Sequence, residues 1–441
     1  MKDPLESLAI EVRQVLAGIA VFVAAAVVLV AVNPTLAGTL GVVFFFFVVM
    51  IGLHELGHFL MAKRAGMKVT EFFIGFGPRI WSMTRGETEY GIKALPLGGY
   101  CKIIGMTNLE DIATEDEPRT YRSKGWGAKV STVVAGPVTH FLLATIFVYA
   151  ILVGAGDHKA AKISMTIDDV TQSLDVFGPD GHKTGEVKSA AAKAGLRSGD
   201  EIVAVDGHAI DSWDAMTADF RRRAGEHIVV SVRRDGVELD LGLTLMTVYR
   251  DTVSDLIALD EFEGSTKSGF AGLSPLRVTP DVGIIEGLGL APMRTWGAGV
   301  DTLGALGHMF SAQGIGEYFD NFSGPEPTPG TPSSGARFIS PIGFGKIAND
   351  AVQSGWPTVF ALLASINLFV GLLNLLPLLP FDGGHVAVAT YEAIASKVRR
   401  RAVRVDFAKL LPVMIVTLSL LGFIFLSSMF LDIARPINTN F

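Results

Sequence analysis

His54-Glu55-Leu56-Gly57-His58 sets two imidazoles four residues apart, with a carboxylate beside the first. Residues four apart share a helix face, so on a helix both rings can ligate one metal ion while Glu55 stands next to it as a general base. A catalytic zinc needs a third protein ligand and keeps one position open. The downstream candidate is Asp382, in a run that begins at Asn374, contains Pro377 and Pro380, and ends at His385. Asp382 is the first acid after the 31 uncharged residues Ala351–Phe381. An Asp at a helix end is ordinarily a cap or a solvated charge. Two histidines at the same face of a membrane make ligation the favoured reading. His385 is a rival ligand, ranked here as a residue that orients Asp382 or binds substrate.

The elements that must position these residues follow from composition. Of 441 residues 49% are hydrophobic and only 18% charged, against roughly 25% charged in an average soluble chain. Disorder is excluded, and the single cysteine, Cys101, excludes an intrachain disulfide scaffold. Four windows lack Asp, Glu, Lys and Arg altogether: Gln14–Leu53, Val130–Gly156, Ala351–Phe381 and Leu410–Leu431. Each can cross a bilayer, which takes about 20 largely apolar residues. Asn33-Pro34 divides the first into helices near 12–32 and 38–60, so five spans are predicted. A cleaved signal peptide competes for the first of these, but its leader (Lys2, Asp3, Glu6, Glu11, Arg13) is net negative instead of basic.

Charge sets the topology. The segments 61–128 and 396–409 are rich in Lys and Arg, and with five spans both fall on one face, the cytoplasmic one, while 157–350 falls on the other. The C-terminus is then extracytoplasmic. The basic runs are explained as topological signals, so no nucleic-acid partner is expected. From about 160 to 250 the exported segment shows β-like runs at 201–205 and 227–232 between Gly-Asp and Asp-Gly turns, with a helix at Ser212–Ala224. Arg294–Ala312 reads as an interfacial helix and Phe322–Ala336, with four prolines, as an exposed linker.

The HELGH helix, the run NLLPLLPFDGGH and one exported domain between them resemble the site-2 protease family of intramembrane zinc metalloproteases, in its bacterial PDZ-containing branch of the actinobacterial regulator-of-sigma type. The likeness covers about residues 39–432. It implies a polytopic α-helical membrane protein of about five spans, with a four-span protease core, a membrane-reentrant β-loop and one exported α+β PDZ domain. The expected organisation is an extra helix at 1–37, core halves at 38–156 and 351–441, the PDZ domain and flanks at 157–290, and the interfacial helix and linker at 291–350. By resemblance His54, His58 and Asp382 hold Zn2+ and Glu55 is the catalytic base.

Further positions match the family. Thr88–Met106 is similar to its β-loop, and Tyr90, Gly91, Ile92, Lys93 and Ala94 form the candidate edge to which an unwound substrate could add as a strand, although a plain structural hairpin fits equally. Asn374 and Asn367 lie seven residues apart on one helical face. Such amides can bind a neighbouring helix, and the resemblance favours substrate binding. The family's Ala-Gly-Pro-x-x-Asn motif departs here: Ala135-Gly136-Pro137-Val138-Thr139 is followed by His140, expected to supply a hydrogen bond beside the ligands where the amide would and not assigned as a ligand itself.

The resemblance implies cleavage in or near the transmembrane helix of a single-span protein in the bacterial inner membrane, such as an anti-sigma factor already shortened by a first protease. Clearance of signal-peptide remnants is the alternative use of the same chemistry. The exported domain would exclude bulky substrates or read a new C-terminus. A membrane adaptor with a structural metal is the rival of another class, but a structural site wants a fourth protein ligand and has no need of Glu55. A transporter is disfavoured, since no inverted repeat of the spans is visible.

Overall fold

The computed structural model describes residues 34–107, 110–177, 183–251, 257–258, 265–323 and 338–434. The predicted first span and nearly all of the Pro-rich linker lie outside them. Four helices among the described residues are long and apolar enough to cross a membrane: α1 (Pro34–Arg64), α2 (Trp126–Ala155), α6 (Trp356–Asn374) and α8 (Leu411–Ala434). The remaining helices of this part are α3 (Ile284–Met309), α4 (Ala312–Ser323), α5 (Pro341–Ser354) and α7 (Asp382–Arg399).

Helix α2 is the hub, packing on α1, α3, α6 and α7. Its crossing with α1 depends on glycine: a Cβ on Gly57 would lie 2.6 Å from the Ala135 carbonyl oxygen, so the helices meet backbone to backbone. At its N-terminal end α2 also moors α7. Lys129 pairs with Glu392 at 2.9 Å, both largely buried, and Trp126 Nε1 donates to Thr390 Oγ1 at 3.1 Å.

Between α1 and α2 lie two long strands, β1 (Val69–Arg85) and β2 (Thr88–Ile103). Each bends midway. In β1 the bend uses Gly75 and Gly77 at positive φ, and a Cβ on Gly75 would lie 2.8 Å from the Lys93 carbonyl oxygen. The register therefore pairs segments twice: Phe72 faces both Tyr90 and Cys101, and Tyr90 faces both Phe72 and Met83. Four short segments result, in the order 79–85, 88–93, 69–74, 99–103. This corrects the expected edge. Tyr90, Gly91 and Ile92 lie inside the sheet with partners on both flanks, so no side is left for another strand; Lys93 pairs with Arg79 at the end of this segment, and Ala94 falls in the bend. The edges are 79–85 and 99–103.

The segment between α2 and α3 forms an antiparallel sheet in the order Leu273–Val278, Lys162–Val170, Glu201–Val205, His227–Arg234, Val237–Thr244. Alternate residues Ile228, Val230 and Val232 are fully buried, each contributing about 1.5–3 kcal/mol of apolar burial. The predicted helix forms at Trp213–Arg222 with Ser212 as its N-cap, and Trp213, Met216 and Phe220 face the same core. Asp200, 1% exposed, accepts from Arg234 Nε at 2.6 Å, from Arg234 Nη2 at 2.7 Å and from the Arg197 amide at 2.9 Å.

Helix α3 begins ten residues before the predicted interfacial helix. Its first turns hold Gly287, Gly289 and Pro292, which read as breakers in sequence. Packing explains them in part: a Cβ on Gly287 would lie 2.8 Å from Val153 Cγ2, so glycine lets α3 approach α2. The outward face of α3 is apolar, with Ile285, Leu288, Trp296, Val300 and Leu303 exposed. Helix α5 starts after Ser340, and Asp432 of α8 caps this end by accepting from the amides of Ser340 at 2.8 Å and Gly343 at 3.2 Å.

Candidate metal centre

The last turns of α1 carry His54, Glu55 and His58. The two rings stand edge to face, with centroids 4.7 Å apart and Nε2 atoms 3.1 Å apart. His58 is fixed by α2: its Nδ1 donates to the Thr132 carbonyl at 2.9 Å, so the proton of the neutral ring is on Nδ1 and the Nε2 lone pair faces inward. Gly136 makes the space. A Cβ there would lie 2.3 Å from His58 Nε2 and 2.7 Å from His54 Cε1.

Asp382 arrives from the opposite side. Helix α6 ends at Asn374, the Pro377–Pro380 stretch turns back, and α7 starts at Asp382. Gly383 and Gly384 are required by this return, since a Cβ on Gly383 would lie 2.3 Å from the carbonyl oxygens of Leu375 and Leu376, and one on Gly384 2.7 Å from the Leu379 nitrogen. The carboxylate then lies 3.4 Å from His54 Nε2 and 3.3 Å from His58 Nε2.

These three residues fit a zinc ion. Donors about 2.0–2.2 Å from a tetrahedral metal stand about 3.3–3.5 Å from one another, and the observed separations are 3.1, 3.3 and 3.4 Å. Two chemical observations agree. With its proton on Nδ1, His58 aims a lone pair at two other acceptor atoms, and Asp382 Oδ2 is buried without a hydrogen-bond partner. Converging lone pairs repel unless a cation joins them. Among the described residues this is the only group of three such side chains close enough to share an ion.

Glu55 faces the sheet. A Cβ on Gly99 would lie 3.0 Å from Glu55 Cγ, so the segment 99–103, an edge of the four-segment sheet, runs beside the carboxylate. Cys101 in that segment is no ready nucleophile: burial, with Glu55 adding to it, pushes its thiol up to about 12.

The other expected residues are distributed differently. Asn367 is 2% exposed and its amide is used at both ends: Nδ2 donates to the Leu363 carbonyl at 2.8 Å, which leaves Oδ1 as the acceptor for His140 Nδ1 at 3.1 Å. It joins α6 to α2 and is buried away from a substrate's approach. Asn374, seven residues on, is half-buried at the end of α6 beside the turn leading to Asp382. His385 does not contact Asp382 through a hydrogen bond. Its ring stacks on Phe407 at 5.8 Å, and its buried Nδ1 is without a partner among the described residues. His140 is buried, its ring 4.9 Å from that of His54 and tilted by 38°. Sequence reasoning missed the Thr132 carbonyl, which carries no residue-type signal, and Gly99. Gly136 lies in the Ala-Gly-Pro motif, which did mark its position.

Two imidazoles and a glutamate on the apolar helix α1, brought against a carboxylate at the start of α7 within a bundle of apolar helices, are the arrangement of a membrane-embedded metallopeptidase. The model of peptidase family M50 matches residues 42–421, and the chain belongs to that family, the site-2 proteases. It is similar to the zinc metalloprotease Rip1 of Mycobacterium tuberculosis, 34% identical over 421 residues that cover 90% of this chain and 98% of the relative. Rip1 of Mycolicibacterium smegmatis is 33% identical over 417 residues, with the same coverage.

Proposed function

We propose that the chain cleaves a peptide bond in or beside the transmembrane helix of a single-span protein, with His54, His58 and Asp382 holding zinc and Glu55 as the base. That it is a zinc metalloendopeptidase of the membrane follows from its family. The observation that carries the residue assignment is the triangle of His54 Nε2, His58 Nε2 and Asp382 Oδ2, spaced at 3.1–3.4 Å with its lone pairs converging.

Zinc, when bound, supplies a Lewis acid that acidifies water and polarises a carbonyl. Glu55, beside the two imidazoles, is placed to take a proton from the attacking water and to pass it to the leaving amine. A helical substrate hides its carbonyls in backbone hydrogen bonds, so it is unwound first. The unwound segment adds along the outer flank of 99–103, the sheet edge next to Glu55, which replaces Tyr90–Ala94 in this role. Asn374, at the Pro-broken end of α6, is the amide left to bind substrate.

The domain spanning Lys162–Val278 is read as a PDZ domain on the extracytoplasmic side of the inner membrane, where it excludes bulky ectodomains or reads the C-terminus left by a first protease. An anti-sigma factor shortened in that way is the proposed substrate. The test is cleavage of a single-span reporter by the purified full chain. Glu55→Gln is expected to retain zinc and lose cleavage; a variant that cleaves like the parent would sink the assignment.

A further inference from the structure

His140 has no part in the reaction as proposed, yet it is buried against His54 at the heart of the membrane domain. Space is kept for it: a Cβ on Gly371 of α6 would lie 3.0 Å from His140 Cβ. Its hydrogen-bond chemistry is determined by its neighbours. Asn367 donates through Nδ2 to the Leu363 carbonyl, so its Oδ1 faces His140 and accepts, and His140 donates through Nδ1. In the neutral ring Nε2 then holds a lone pair, and it has no partner among the described residues.

His54 has the complementary need. With its Nε2 turned to Asp382 and His58, its proton belongs on Nδ1, and that atom is buried without an acceptor. A metal-ligating imidazole almost always donates its other N–H to an acceptor, which sets its tautomer and orientation. His58 does so through Thr132. For His54, the unsatisfied donor and the unsatisfied lone pair of His140 lie on rings whose centroids are 4.9 Å apart.

We infer that His140 is the positioning residue of His54, accepting the His54 Nδ1 proton at Nε2 and closing a relay that runs from His54 through His140 and Asn367 to the Leu363 carbonyl. The relay is oriented head to tail, so each bond polarises the next. Helix α2 then orients both imidazoles of α1, one through a backbone carbonyl and one through a side chain. The inference rests on His54 being a zinc ligand.

The test uses the purified full chain in detergent and measures zinc affinity by competition with a chromophoric chelator, together with the visible absorption of the cobalt-substituted protein. Gln places its side-chain oxygen near the position of a histidine Nε2, whereas Asn reproduces only the Nδ1 side. His140→Leu and His140→Asn are expected to weaken zinc binding by about 10–100-fold and to alter the cobalt spectrum, while His140→Gln restores most of both. A bond that merely joins α2 to α6 predicts the reverse, rescue by Asn and none by Gln, and that result overturns the inference, as does parental affinity in His140→Leu. Should these variants fail to fold, Asn367→Ala decides: weakened zinc binding supports the relay, and unchanged affinity overturns it. His54→Ala separates the two levels. Parental zinc binding there would refute the ligand assignment itself, whereas loss there with parental affinity in His140→Leu refutes only the relay.

Discussion

Asp200 in the Lys162–Val278 domain and Asp382 at the candidate metal centre are both carboxylates drawn away from water, and their surroundings differ in kind. Asp200 receives a two-pronged guanidinium and a backbone amide, all within 2.6–2.9 Å. Asp382 Oδ2 meets two imidazole nitrogens at 3.3–3.4 Å and is left without a hydrogen bond. A satisfied buried charge holds a fold in register, while a buried carboxylate oxygen facing two imidazoles without a hydrogen bond is one that a cation would complete, as proposed for Asp382. The contrast separates residues that stabilise from residues that bind, without reference to any relative.

The sharpest way to break this contrast is Asp382→Ala. Zinc measured by metal analysis is expected to fall to background and cleavage with it, while far-UV circular dichroism stays that of the parent; unfolding of this variant would place Asp382 with the stabilising carboxylates. Next comes Glu55→Gln, with a loss of about 10²–10⁴-fold in cleavage rate and full zinc content. On the other side of the comparison, Arg234→Leu strands Asp200 in a buried site and is expected to cost about 3–5 kcal/mol in the Lys162–Val278 domain. Hydrogen exchange in the strands Glu201–Val205 and His227–Arg234 reads that loss, and zinc affinity is expected not to move.

Acidity offers a gentler probe. Burial pushes the Asp200 carboxyl up, but the hydrogen bonds from Arg234 and the Arg197 amide outweigh it and hold the group below its ordinary value. The folded domain then binds this proton less readily than the unfolded chain. Its contribution is complete above the ordinary carboxylate range, near pH 4, and disappears as pH falls through the depressed native value. Protection of the same strands should drop on that acid limb in the parent and lose this dependence in Arg234→Leu. The smallest effect is expected for Asp432→Ala, about 1 kcal/mol, seen as faster exchange of the Ser340 and Gly343 amides.

Much of the centre was legible because its chemistry is local. His54, Glu55 and His58 are one helical turn, and Asp382 announces itself as the first charge after a long apolar stretch. The spans were legible for the same reason. What escaped was relational. The pairing of His140 with Asn367 joins residues 227 apart and depends on the rotation of two helices, which no local pattern encodes. The double pairing of Tyr90 arises from bends in both long strands, so a motif that reads as a hairpin became an interior segment. Helix α3 began earlier than expected because Gly287, a breaker in isolation, is a packing surface against Val153 and Tyr149.

The cap that Asp432 places on α5 has a bearing on biogenesis. Asp432 is translated 92 residues after the Ser340 amide it satisfies, so α5 emerges from the ribosome with Ser340 Oγ capping the Ile342 amide but with no carboxylate for the amides of Ser340 and Gly343. Only when α8 is threaded into the bilayer are those two amides clasped. A nascent chain halted before α8 would hold every zinc-binding side chain proposed here and still lack this clasp, which ties completion of the membrane domain to completion of synthesis.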